Sequence, residues 1–225
     1  MRRPRQLHPW DVTPKEAVAI QQRLRSKVIV EKLDRPVRYV AGCDLSAARH
    51  SDVAYAGIVV LELPDLVEAA RSSAVTRVRF PYIPGLLSFR ETPALLEAWR
   101  RLAITPDLLM VDGHGLAHPR RFGIACHLGV LLDLPTIGCA KSPLAGSFVE
   151  PGLRAGSYSM VTDDGVIIGA ALRTVDRVRP IFVSVGHRVT LEEAIFWAIR
   201  CSKGYRIPEP TRRADILVNA LRRGS

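Results

Sequence analysis

Apolar side chains recur at helical spacing after Thr13-Pro14-Lys15-Glu16, at Ala17, Ile20, Leu24 and Val28, which predicts a capped helix with proline in its first turn. Three extended runs follow closely, over residues 38–43, 55–63 and 75–80. They are rich in valine or aromatic residues and bounded by Gly, Pro, Ser or Asp. Residues 93–103 return to a helical period, with Leu95, Ala98, Trp99 and Leu102 on one face. Residues 108–111 form a short all-apolar run ending in Asp112-Gly113, the pattern of a buried parallel strand. A helix over 121–132, a buried strand over 136–140, strands over 166–174 and 181–185, and helices over 191–202 and 211–221 complete the reading. The Gly-, Ser- and Pro-rich stretch 142–159 reads as a mobile surface excursion.

Three antiparallel strands followed by alternating helices and parallel strands is the order of an RNase H-like α/β fold, a mixed sheet flanked by helices. No repeat, low-complexity tract or linker divides the 225 residues, so one domain over 1–225 is expected. No apolar run reaches the length of a membrane span, and Met1-Arg2-Arg3-Pro4-Arg5 lacks the apolar stretch of a signal peptide. We expect a cytoplasmic monomer with no membrane partner.

Charge narrows the partner. Lysine and arginine total 32 against 22 acids, a net +10, and 27 of the 32 are arginine, whose fork matches phosphate oxygens. The balance favours a polyanion. Cys43, Cys126, Cys139 and Cys201 are scattered in apolar contexts and form no C-x-x-C pair, which reads as reduced core thiols and not a zinc site.

The chemistry concentrates in a few places. Pro81-Tyr82-Ile83-Pro84-Gly85-Leu86-Leu87-Ser88-Phe89-Arg90-Glu91 is a stiffened loop whose tip suits a wedge between stacked bases, with Glu91 just beyond it. A surface turn that buries its apolar residues is the competing reading. Asp44 follows the first strand and Asp112 the fourth; with Glu91 they would supply hard oxygen ligands for Mg²⁺ or Mn²⁺, although each aspartate alone could be a cap. Asp112-Gly113-His114-Gly115-Leu116-Ala117-His118-Pro119-Arg120-Arg121 adds close-approach glycines, arginines able to hold phosphates, and histidines better suited to hydrogen bonding than to metal. Lys141 ends the fifth strand, either as a stabiliser of phosphate charge or as a solvated lysine. His187 closes a strand at the same expected edge, to move a proton, complete a metal site, or cap the next helix. Residues 201–213 could be a phosphate-tracking strap or a solvated connector. Candidate phosphate contacts are Arg90, His118, Arg120, Arg121, Arg206 and Arg212.

Together these motifs resemble the endonuclease V family of deaminated-base repair nucleases, over about residues 40–213. The likeness rests on Pro81-Tyr82-Ile83-Pro84-Gly85 with Phe89-Arg90-Glu91, on Asp112-Gly113 with His118-Pro119-Arg120-Arg121, and on Pro135-Thr136-Ile137-Gly138, Lys141, Gly186-His187 and Arg206-Ile207-Pro208-Glu209-Pro210-Thr211-Arg212. It implies an Mg²⁺-dependent endodeoxyribonuclease, with Mn²⁺ as substitute, acting on deoxyinosine DNA. Such an enzyme cuts the second phosphodiester bond 3′ of the lesion and leaves 3′-hydroxyl and 5′-phosphate ends. Asp44, Asp112 and Glu91 would hold the metal, supported by Lys141 and His187. Tyr82, Ile83 and Pro84 would form the wedge, and Gly85, Leu87, Gly113, Ile124 and Gly138 the base pocket. The alternatives are an inosine-specific endoribonuclease and a non-catalytic module that binds deaminated bases.

Overall fold

The computed structural model describes residues 3–47 and 52–224. Its first helix, α1 (Pro14–Arg25), starts at a capping box: the Thr13 hydroxyl accepts the Glu16 N–H at 3.3 Å, and the Glu16 carboxylate accepts the Thr13 N–H at 2.7 Å. The helix stops at Arg25, so Val28 packs against the same apolar cluster from beyond it.

Strands β1 (Tyr39–Ala47), β2 (Val53–Glu62) and β3 (Val67–Arg77) form an antiparallel meander. β1 extends past the predicted 38–43, which puts Asp44 inside the strand and not after it. β3 begins eight residues before Val75. It is an edge strand in which only Ser72 and Ala74 are buried, so it lacks the apolar signal that marks a half-buried strand.

Helix α2 (Leu87–Arg100) begins six residues before Pro93, which lies inside it. Proline lacks the N–H that would bond back to residue 89, and it imitates a first helical position, which is why the sequence suggests a later start. Glu91 is therefore a helix residue and not part of the loop.

Strands β4 (Leu108–Val111) and β5 (Thr136–Ala140) lie where predicted. Helix α3 (Ile124–Leu132) starts after Arg121, whose φ of 54° is not helical. Strand β6 (Tyr158–Asp163) is a further strand beyond the prediction and pairs with β7 (Val166–Leu172). Asp164 and Gly165, at φ 50° and 75°, make the two-residue turn between them. The stretch before β6 is pinned, since Ser147 and Thr162 exchange backbone bonds of 2.8 and 2.9 Å. Strand β8 (Ile181–His187) and helices α4 (Leu191–Arg200) and α5 (Glu209–Arg223) follow.

The eight strands form one sheet in the order β3-β2-β1-β4-β5-β8-β7-β6. β1, β4 and β5 are mutually parallel, while β8 runs antiparallel to β5. Alternation divides the core. Ala41, Cys43, Leu109 and Val111 face α2 and α3, whereas Val40, Leu108, Met110, Ile137 and Cys139 face the opposite layer with α4. α1 lies outside α2 and α3 over Phe80, Phe89 and Phe122. All four cysteines are buried and free. Among the described residues, no helix is long and apolar enough to cross a membrane.

Candidate active site

Three parallel neighbours set the site. Cys43 lies beside Val111, and Val111 beside Gly138, so these strands finish at one edge. Asp44, Asp112 and Lys141 continue the alternation of Val40, Met110 and Cys139, and so share one face at that edge.

A helix brings the next carboxylate. α5 seats on β1 because Gly42 has no side chain; a Cβ there would fall 1.9 Å from the Pro210 carbonyl carbon. Four residues of helix and two of strand each advance about 6–7 Å, so one α5 stripe stays in register with one β1 face. Thus Pro210 and Thr211 meet Gly42, Asp215 stands by Asp44, and Asn219 bonds Ser46 at 3.2 Å. One carboxylate oxygen from each of Asp44, Asp112 and Asp215 lies within 4.8 Å of the others, a spacing that fits a shared cation.

The electrostatics fit the same use. Burial, then the charge of Asp112, raises the Asp44 carboxyl to about 8. Burial also raises Asp112, with Lys141 opposing. Glu91, from the first turns of α2, is pushed up to about 8 by burial and then by Asp112. It lines the same cavity but is not one of the three clustered carboxylates. Lys141 Nζ lies 2.5 Å from Asp112 Oδ2 and 3.6 Å from Asp215 Oδ1. Burial disfavours its charge, but Asp112, Asp44 and Asp215 outweigh that and raise its pKa. Hard oxygens that repel one another across a partly dry floor suit a divalent cation.

Beside these carboxylates is a cavity of about 270 Å³, with room for a nucleobase. Gly85, Leu87, Gly113 and Ile124 line it, with His114 and Ser88. Gly138 does not; it lies behind, where a Cβ would come 2.6 Å from the Gly113 carbonyl oxygen. Helix α2 starts at the cavity without a side-chain cap; the Phe89 N–H bonds the Leu86 carbonyl at 3.0 Å, while Leu87 and Ser88 of the same turn line the cavity. Tyr82 and Pro84 form the rim; Tyr82 is 69% exposed, while Ile83 tucks against the apolar cluster under α1.

Two groups of predicted residues have other duties. The candidate phosphate contacts are largely engaged within the protein, because strand and loop ends leave carbonyls that need donors. Arg90 bonds the Phe80 carbonyl at 2.9 Å, and Arg121 pairs with Asp163 at 2.6 Å. Arg206 bonds the carbonyls of Lys141, Pro180 and Arg179. Arg212 pairs with Glu209 at 2.7 Å and lies over the Tyr205 ring at 4.0 Å, which makes the 201–213 segment a brace for α5. His118 is 2% exposed and held neutral, its pKa lowered to about 4 by burial; its Nε2–H donates to the Gly85 carbonyl at 2.9 Å. Arg120 donates to the same carbonyl at 2.7 Å.

His187 lies at the wrong edge. Because β8 is antiparallel to β5, its end meets the start of β5, where His187 pairs with Thr136. There its Nδ1 accepts the Ile29 N–H at 3.2 Å and its Nε2 faces Asp133 at 3.6 Å. It ties the segment after α1 to the sheet, away from the carboxylates.

Asp215 and Gln21 are absent from the sequence-based site. The only trace of Asp215 is a polar i, i+4 stripe, Thr211, Asp215 and Asn219, beside inward Ala214 and Val218; its meaning depends on where α5 docks.

Comparison with known proteins agrees with this geometry. The sequence profile of the family described as Endonuclease V matches residues 22–216. Endonuclease V of Roseiflexus castenholzii is 54% identical over 213 residues, covering 94% of this chain and 95% of its own. The crystal structure of Endonuclease V from Streptomyces avermitilis superposes with a TM-score of 0.90 at 46% identity, covering 96% of each chain. Ciona intestinalis Endonuclease V, crystallised with a 24mer DNA containing an inosine followed by a ribo-adenosine, gives a TM-score of 0.81 at 28% identity, over 93% of this chain and 98% of that one.

Proposed function

Since the chain belongs to the endonuclease V family, and is thus a DNA-binding nuclease of DNA repair, we propose that it cleaves deaminated DNA, chiefly at deoxyinosine, in an Mg²⁺-dependent reaction. The bond hydrolysed is the second phosphodiester 3′ of the lesion, and the ends are 3′-hydroxyl and 5′-phosphate. The observation that carries this reading is the cluster Asp44, Asp112 and Asp215, of which Asp44 and Asp112 line a cavity rimmed by Tyr82.

Tyr82 enters the stack and fills the gap left by the extruded base. Extrusion costs a few kcal/mol, roughly, and less at a poorly paired lesion. The cavity receives hypoxanthine, whose carbonyl and ring N–H replace the amine pattern of adenine, and the main-chain donors at the start of α2 suit that carbonyl. Asp44, Asp112 and Asp215 would hold Mg²⁺, or Mn²⁺ in its place, and the ion would supply water activation and stabilisation of the leaving 3′-oxygen. Lys141 offsets negative charge at the phosphate, and Glu91, its carboxyl raised to about 8 by burial and then by Asp112, stands where it can exchange a proton.

Nicking of inosine, uracil and undamaged duplexes, with and without Mg²⁺, tests the proposal, with Asp215→Asn alongside. Inosine-specific nicking that vanishes without Mg²⁺ and in the variant supports it; undiminished nicking by Asp215→Asn removes that residue from the site. The second reading, cleavage of inosine in RNA, is motivated by the ribo-adenosine after inosine in the Ciona complex. Faster cleavage of the RNA member of a matched oligonucleotide pair would establish it instead. A non-catalytic module is disfavoured because Asp44, Glu91 and Asp112 are all present.

A further inference from the structure

Helix α1 buries Ala17, Ile20 and Leu24, and among these apolar residues stands Gln21, 1% exposed. A buried amide on an apolar helix face is costly unless its polar atoms are paired. Here they are. Gln21 Nε2 donates to the carbonyls of Gly85 and Phe122, both at 3.0 Å, and its Oε1 accepts Arg120 Nε at 2.6 Å. His118 and Arg120 also donate to Gly85, so three donors from two parts of the chain converge on one loop carbonyl. Gly85 has φ 79°, and a Cβ on it would lie 2.7 Å from Arg120 Nη2, so glycine is what lets these donors approach its carbonyl so closely.

Gln21 lies on the α1 face that packs on Phe80, Leu86, Phe89 and Phe122, and it also lines the cavity. Helix packing alone therefore does not account for an amide here. What the amide adds is a link from α1 to the base of the loop bearing Tyr82. Ile83 and Leu86 hold the apolar side of that base, Gly85 the polar side, and the tip projects beyond. A tip that must stay between bases against their restacking needs such a strut.

We propose that Gln21 is a positioning residue for the wedge: through the Gly85 carbonyl it fixes the Tyr82 loop against the cavity, and opening of a duplex depends on it although it touches no reacting group. The proposal rests on the function given above.

The test compares wild type, Gln21→Leu and Gln21→Glu; the last keeps an acceptor for Arg120 but loses both amide donors. Single-turnover nicking is measured on an inosine duplex and on the same inosine strand unpaired, together with hydrogen exchange of the segment 81–89 and the melting temperature. We expect both variants to lower the duplex-to-single-strand rate ratio about tenfold, since a misplaced positioning group loses rate steeply. Exchange in 81–89 should quicken by more than the fall in melting temperature, which the unpaired Phe122 carbonyl and Arg120 cause, imposes on the rest of the molecule. An unchanged ratio, or parallel loss on both substrates, overturns the proposal. If wild type nicks neither inosine substrate, the proposed function fails, and exchange in 81–89 alone then decides the clamp: faster exchange supports it and unchanged exchange refutes it.

Discussion

Lys141 Nζ lies 2.5 Å from Asp112 Oδ2, joining the end of β5 to the end of β4 with an ion pair beside the cavity that Asp112 lines. The ammonium balances carboxylates that burial holds uncomfortably close, and it competes with any cation they would bind. Lys141→Met should therefore slow single-turnover nicking about 10²-fold, the scale of losing one charge-stabilising group. The Mg²⁺ concentration for half-maximal rate should fall, because the competitor is gone. A Mg²⁺ titration checks both, and an unaltered rate would place Lys141 outside the chemistry.

Asp44 loads the metal-free protein with strain that substitution can relieve. Its folded pKa is raised to about 8, so its contribution to stability is full below the unfolded value of 3.8 and is lost as pH rises through about 8. Asp44→Asn should stabilise the chelator-treated protein near pH 9 by about 1–3 kcal/mol and give little below pH 4. Mg²⁺ should then raise the melting temperature of wild type but not of the variant. Equal melting temperatures at high pH would refute this.

His118 gives the opposite dependence. Its folded pKa is lowered from 6.5 to about 4 by burial, so the unfolded chain takes up the proton first as pH falls. Stability is full above 6.5 and falls until about 4, by about 3 kcal/mol in all. His118→Gln keeps a donor for the Gly85 carbonyl but cannot titrate. Denaturant melts across this range should show wild type losing ground to the variant with acid, and parallel curves would refute the assignment.

Tyr82 is exposed at the rim and free to stack. Tyr82→Ala should weaken binding to an inosine duplex by about 1–3 kcal/mol, the value of one aromatic–base stack. Equilibrium binding with Ca²⁺ in place of Mg²⁺ measures it without cleavage, and equal affinities would count against the wedge.

Which parts were readable from sequence follows from how local each signal is. The runs ending at Val111 and Ala140 announce themselves, because a strand buried on both faces is continuously apolar, and Asp112 and Lys141 follow from them directly. The edge strands β3 and β6 carry little apolar alternation, although Asp164-Gly165 is a hairpin signal that marks β6 in retrospect. Glu91 was recognisable as a residue but not as part of a helix, since Pro93 imitates a helix start. His187 was misplaced because strand direction is not written locally; the antiparallel entry of β8 sends its end to the far edge. Asp215 and Gln21 depend on helix docking across about 170 and 60 residues of chain, respectively, separations at which no short pattern carries information.

The notch at Gly42 ties together two parts of the chain that are far apart in sequence. An aspartate near position 40 waits for a helix that starts beyond position 200. A nascent polypeptide still held by the ribosome short of Asp215 thus lacks one of the three clustered carboxylates, whatever else has folded.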